Sequence, residues 1–178
     1  MLYGPESTGK TTLSRKLAKH FNTFWIPEYA RDYLQDKWDR EQKICEPEDL
    51  LPIAQGQMKL ENDASAKLEN GKKQTPKLLF CDTDLLETMV YSEAYYGGYV
   101  PGLLEKYAIK NTYDLYLLTY IDTPWKADDL RDRPGQREEM FAYFKDALIK
   151  YDRPHILLQG SLEQRMKTAV EHIKTLLV

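Results

Sequence analysis

Gly4-Pro5-Glu6-Ser7-Thr8-Gly9-Lys10-Thr11 completes the pattern G-x-x-x-x-G-K-[ST], and each fixed position answers a mechanical need of polyphosphate binding. Gly4 and Gly9 let the backbone turn tightly and come close to phosphate oxygens without a side chain in the way. The amides between them, those of Glu6, Ser7 and Thr8 included, form an anion-binding nest with the start of the next helix behind it. Lys10 brings a compact positive charge to the β- and γ-phosphates, and the Thr11 hydroxyl, followed by Thr12, offers a ligand for magnesium. A chance match in a chain of 178 residues is on the order of one in a hundred at average glycine usage. The expectation is a site for ATP with Mg2+.

A loop of this kind hangs from a buried strand, for which only Met1-Leu2-Tyr3 are present. Strands usually run about five or six residues, so the first strand is expected to be truncated, with the rest of it, or a whole domain, upstream. Downstream, Lys10 to Phe21 has a helical apolar stripe at Leu13, Leu17, Ala18 and Phe21. Phe24 to Pro27 reads as a second strand with Glu28 at its carboxyl end, and Tyr29 to Trp38 as a helix. A long polar helix is expected over Glu48 to Glu69 with Pro52 in its first turn, then a loop over Asn70 to Pro76. The apolar runs Leu78 to Cys81, Leu115 to Thr119 and His155 to Leu158 are the mark of strands buried on both faces. Helices are expected at about Asp84 to Tyr95, Leu103 to Ile109, Arg137 to Tyr151 and from Ser161 onward.

This alternation predicts one domain over residues 1–178, an α/β three-layer fold with a five-stranded parallel sheet. Ligands of such sheets bind beyond the carboxyl ends of the strands. That rule gathers Gly4 to Thr12, Glu28, Asp82, Asp84 and Asp122 onto one rim.

Composition narrows the class. Hydrophobic content of 42% and charge of 30% are ordinary for a globular domain, and a net charge of −3 gives no footprint for nucleic acid. Cys45 and Cys81 make neither a disulfide framework nor a metal cluster, which fits a reducing, cytoplasmic setting. No apolar run approaches the roughly 20 residues that span a bilayer. His20, His155 and His172 lack metal spacing and read as structural.

Four groups of residues carry the candidate chemistry. Asp82 closes an apolar strand, where a carboxylate can hold magnesium opposite Thr11; Thr83 or Asp84 is the alternative helix cap. Glu28 can accept the proton of an attacking hydroxyl or serve as a helix-start carboxylate, with Arg31 one turn on as its expected ion-pair partner. The segment from about 123 to 137 carries Arg131, Arg133 and Arg137 around Pro134-Gly135; it reads either as a phosphate-clamping lid or as a solvated charged loop. Trp25, Tyr29, Tyr91, Tyr95 and Trp125 are the aromatics near the rim that can stack on a substrate ring.

In this order, Gly4 to Thr12, Pro27-Glu28-Tyr29-Ala30-Arg31, Asp82-Thr83-Asp84 and Asp122-Thr123-Pro124-Trp125 with its arginine segment resemble the ribosylnicotinamide kinase domain of bacterial NadR-type NAD-biosynthesis proteins, among the P-loop and AAA-like ATP-binding families. The resemblance covers almost the whole chain and implies a nucleoside-kinase-like fold. It implies ATP-dependent phosphorylation of the 5′-hydroxyl of nicotinamide riboside, giving nicotinamide mononucleotide. Lys10 and Thr11 would take the triphosphate and magnesium, Asp82 would organise the metal, and Glu28 and Asp84 would face the ribose, one of them as base. Arg131, Arg133 and Arg137 would belong to the lid. Some members of the family carry tryptophan before the Glu-Tyr pair where this chain has Pro27, which leaves the stacking residue open among Tyr29, Trp25 and Trp125. Kinases for other nucleosides or nucleotides, or an ATPase-like regulatory module, remain alternatives on such a fold, and a homo-oligomer is left open.

Overall fold

Leu2–Tyr3 form β1, two residues that run parallel to β4, Tyr116–Thr119, in the register Leu2 to Leu117 and Tyr3 to Leu118. The computed structural model describes residues 1–70, 77–131 and 133–177. β4 pairs in turn with β5, His155–Leu158, also in parallel. A second parallel pair joins β2, Phe24–Ile26, to β3, Leu79–Cys81. The single five-stranded sheet expected from the sequence is therefore corrected to two small parallel sheets, β1-β4-β5 and β2-β3. The physical reason is the length of β1: against β3 it reaches only far enough for one parallel bridge, Leu2 to Asp82. Asp82 N–H donates to Ile26 O at 2.9 Å and so extends the β2-β3 ladder, while Thr83 N–H donates to Leu2 O at 3.3 Å and joins the two sheets edge to edge.

Helices follow the strands as expected, with bounds moved by a few residues: α1 Lys10–Phe21, α2 Tyr29–Glu41, α3 Leu50–Asn70, α4 Leu85–Tyr95, α5 Gly102–Lys110, α6 Arg137–Lys150 and α7 Leu162–Leu176. A 3-10 turn at Pro47–Asp49 precedes α3, and Asn70 ends it; residues 71–76 of the expected loop lie outside the described residues.

Period-two alternation along the strands separates two cores. Leu2, Phe80 and Leu117 face Leu13, Leu17, Ala169 and Ile173 of α1 and α7. Tyr3, Cys81, Tyr116 and Leu118 face Leu86, Met89, Phe144 and Leu148 of α4 and α6. The Tyr3 ring meets Phe144 edge-on at 4.9 Å and Tyr116 at 5.4 Å, an aromatic node directly beneath the phosphate loop. Among the described residues no helix is long and apolar enough to cross a membrane.

Candidate active site

A cleft of about 710 Å³ opens beyond the carboxyl ends of the strands. Its floor is the phosphate loop, and its walls come from the start of α2, the start of α3, the length of α4, the segment after β4 and the start of α7.

Gly4 has φ 135°, and a Cβ there would lie 2.8 Å from Thr119 Oγ1 and 3.0 Å from Thr119 O, so the close approach of β4 requires glycine. Gly9 has φ 85° and stands at the N-cap of α1 without a side-chain cap; no acid occupies the first turn. The opening amides of α1 are thus left for an anion. Glu6, Ser7, Thr8, Gly9, Lys10, Thr11 and Thr12 all line the cleft. The Thr8 hydroxyl is spent inside the loop, donating to Pro5 O at 2.8 Å and sharing a 2.7 Å bond with Thr119 Oγ1.

Lys10 is buried and donates to Gly4 O at 2.5 Å and Pro5 O at 3.0 Å, while pairing with Glu87 Oε1 at 3.0 Å. Burial works to lower its pKa, but the carboxylates of Glu87, Glu28 and Asp82 outweigh that and hold it raised. Sequence reasoning missed Glu87. The available signal was a carboxylate on the inward face of α4, where Leu86, Met89 and Val90 are its buried companions.

Asp82 lines the same cleft. Both of its oxygens are buried without a hydrogen-bond partner of regular geometry. Burial raises its pKa, with the Lys10 charge, the Thr11 hydroxyl and Arg15 opposing. Two orphaned anionic oxygens fit a cation held between Asp82, Thr11 and the phosphates of a nucleotide. Among the described residues no group of three or more His, Cys, Asp or Glu makes a metal cage, so most ligands of such a cation would come from phosphate and water.

Glu28 is at the N-cap position of α2, yet its side chain makes no cap bond and lines the cleft half-buried. Burial pushes its carboxyl up, Lys10 opposes, Asp82 adds to the rise, and Arg31 and Arg131 oppose. The ion pair expected between Glu28 and Arg31 is not formed. Arg31 instead grips Asp128 through two bonds of 2.6 and 3.3 Å, and Arg131 meets the same carboxylate at 3.1 Å. Asp84 is elsewhere. It is buried, does not line the cleft, and has both oxygens engaged, by Glu87 N–H at 2.8 Å and Tyr116 O–H at 2.9 Å. Burial pushes its pKa up to about 6.

The three arginines of the expected lid part company. Arg131 lines the cleft; Arg133 lies 3.6 Å over the Tyr95 ring; Arg137 donates to Thr123 O at 2.9 Å and Ser7 O at 3.4 Å. Thr123 O–H and Lys126 N–H also bond Ser7, so this segment rests on the phosphate loop. Asp122 is tied to Arg165 and to Gly160 N–H. Arg165, also unforeseen, straps α7 to the loop by donating to Thr8 O at 2.7 Å. Its signal was a charge in register with Ala169 and Ile173 on the buried face of α7.

Of the candidate aromatics, Trp25, Tyr91 and Tyr95 line the cleft, joined by Tyr96, whereas Tyr29 and Trp125 do not. A Cβ on Gly56 would lie 2.1 Å from the Tyr29 ring, which locks that ring between α2 and α3.

With a phosphate loop, a bare helix start and an orphaned strand-end carboxylate in one cleft, comparison with known proteins becomes informative. The AAA domain family matches residues 1–165. The chain belongs to that family. It is homologous to the trifunctional NAD biosynthesis/regulator protein NadR of Salmonella typhimurium LT2, at 33% identity over 133 residues, which is 73% of this chain and 30% of that protein. The same identity and coverage hold for NadR of Escherichia coli K12. The chain therefore spans about 30% of the length of these curated relatives. A crystal structure of a NadR protein in complex with NR shares the fold of this AAA domain, with a TM-score of 0.72 at 23% identity, over 98% of this chain and 49% of that one. A nucleotide-binding AAA domain of the P-loop kinase architecture is what fold and family establish.

Proposed function

We propose that this domain is an ATP-dependent kinase that phosphorylates the 5′-hydroxyl of a nucleoside, and that the nucleoside is nicotinamide riboside. The observation that carries the reading is Glu28: a carboxylate at a helix start that neither caps the helix nor forms an ion pair, facing a cleft whose floor is the phosphate loop. A hydrolase needs no base on an alcohol, whereas a kinase does. The homology to NadR and the NR bound by the solved NadR protein support the choice of riboside.

Lys10 and the loop amides hold the β- and γ-phosphates. Thr11 and Asp82 would hold Mg2+, which when bound would offset the charge that builds on the phosphates. Glu28 takes the proton of the 5′-hydroxyl as its oxygen attacks the γ-phosphorus; the bond to the β-γ bridging oxygen breaks, and ADP departs. Arg131, which lines the cleft, serves the transferring group, while Arg133 rests on the Tyr95 ring and Arg137 keeps Ser7 and the loop in shape. Of the aromatics that line the cleft, Trp25 on β2 and Tyr91 and Tyr95 on α4 are the candidates to receive the base.

The test is ADP release across a panel of nucleosides that includes nicotinamide riboside. Stimulation by that riboside above all others is expected. Stimulation by a different nucleoside would replace the substrate, and ATP binding with no nucleoside-dependent release would turn the reading to a regulatory module.

A further inference from the structure

An ammonium has three protons to donate, and those of Lys10 are all committed, to Gly4 O, Pro5 O and Glu87 Oε1. A triphosphate that uses Lys10 has to break one of these bonds. Two of the acceptors are carbonyls of the loop itself, which stays wrapped around the phosphates. The third is a carboxylate, the partner that an arriving polyanion repels.

The place of Glu87 in its helix is equally telling. It is the third residue of α4, from which a glutamate commonly folds back onto the N-cap amide in a capping box. Asp84 accepts the Glu87 N–H and so completes half of that arrangement. The Glu87 side chain leaves the other half and reaches Lys10 and Gly4 N–H, the latter at 3.4 Å and 83 residues away in sequence. It is 2% exposed. Besides Lys10, the charged and titratable groups that bear on it are Glu28, Asp84, Tyr3 and Tyr91. Burial drives its carboxyl well above the ordinary range and Lys10 opposes, so the 3.0 Å contact to Lys10 is what favours the charged form at this depth.

We propose that Glu87 is a positioning residue that clamps Lys10 onto the empty phosphate loop and surrenders it to the incoming triphosphate, so that Glu87 sets how tightly the site takes polyphosphate. The inference rests on reading Gly4 to Thr11 as the triphosphate site. A structural residue loses affinity when replaced; a competing clamp yields a gain, and only for anions.

The experiment is calorimetric titration of the intact chain, wild type and variants, with ATP, inorganic pyrophosphate and adenosine, folding being checked by circular dichroism. Glu87→Gln is expected to bind ATP and pyrophosphate about tenfold tighter, within the usual range for coupled sites, with adenosine unchanged. Glu87→Asp keeps the charge on a shorter arm and is expected to gain about threefold. Pyrophosphate affinity that stays level or falls in a folded Glu87→Gln overturns the proposal. Should that variant not fold, absence of a gain in Glu87→Asp overturns it. If wild-type protein binds neither ATP nor pyrophosphate, the phosphate-loop reading fails and takes this inference with it.

Discussion

Glu28 and Asp84 occupy the same place in two successive strand-to-helix turns, and they end in opposite states. Glu28 follows β2 at the N-cap position of α2 and forms no cap bond. Asp84 follows β3 at the N-cap position of α4 and does cap it, while Tyr116 occupies its second oxygen. One carboxylate is left open to the cleft; the other is closed off behind it. The contrast teaches that a strand-end carboxylate is assigned by what else satisfies it. A group whose hydrogen bonds are complete inside the protein has nothing left for a substrate, and a group left bare at the cost of its helix is available for chemistry.

The widest separation between the two is expected in rate. With Glu28 as base, Glu28→Gln lowers kcat by about 10²- to 10⁴-fold in nucleoside-dependent ADP release. Its ATP affinity stays within about twofold and its stability within about 0.5 kcal/mol, because no internal bond is lost. A comparable collapse of ATP binding would move Glu28 from the acceptor side to the phosphate side of the cleft.

Asp84 is expected to respond in stability. Asp84→Ala removes the α4 cap, worth about 1 kcal/mol, and leaves the buried Tyr116 hydroxyl without a partner, worth about 1–3 kcal/mol more. The melting temperature should fall by roughly 5–15 °C for a chain of this size. Asp84→Asn keeps an acceptor for the Glu87 amide and should lose less. If Asp84→Asn melted like wild type but lost activity a hundredfold, the two carboxylates would have to exchange roles.

How far the sequence revealed this arrangement depends on how local each signal is. The phosphate loop and the strand-end aspartate were legible because spacing alone defines them. Among the described residues the seven α-helices were legible to within a few residues at the ends, α1 from its apolar stripe. The single sheet was not, since pairing β1 with β3 depends on two residues whose reach no pattern reports. Glu28 and Asp84 looked alike because both follow an apolar run; what distinguishes them is Tyr116, 32 residues beyond Asp84 in the chain and adjacent only once β4 is laid down. The same holds for Arg31, whose near neighbour in sequence is Glu28 and whose partner is Asp128, 97 residues on. Glu87 and Arg165 left a trace, a charge on an inward helix face, which points to a buried partner without naming it.

Tyr116 supplies a gentler version of the Asp84 test. Tyr116→Phe removes only the hydroxyl that closes off the second Asp84 oxygen, leaves that buried oxygen unpaired, and should cost about 1–3 kcal/mol by denaturant titration with kcat unaltered. A larger loss would mean that the hydroxyl also organises the Tyr3 and Tyr113 rings packed against it.

The smallest effect concerns the pH at which Glu28 becomes competent. A general base acts deprotonated, so kcat/KM rises as pH climbs through its pKa. Burial sets that pKa above the ordinary carboxylate value and Asp82 adds to the rise, while Lys10, Arg31 and Arg131 pull it back. The acid limb of the kcat/KM profile should therefore lie above the ordinary carboxylate range of roughly 4–4.5. Arg31→Gln removes one of the opposing charges and should move that limb upward. Because the Arg31 side chain is 38% exposed, its influence is open to screening, and the displacement should largely vanish at about 1 M salt, where the Debye length falls to about 3 Å. A limb that does not move, or one that keeps its displacement at high salt, would mean that the titrating group is not Glu28 but a carboxylate sealed from solvent, with the Glu87 pair at the head of the candidates.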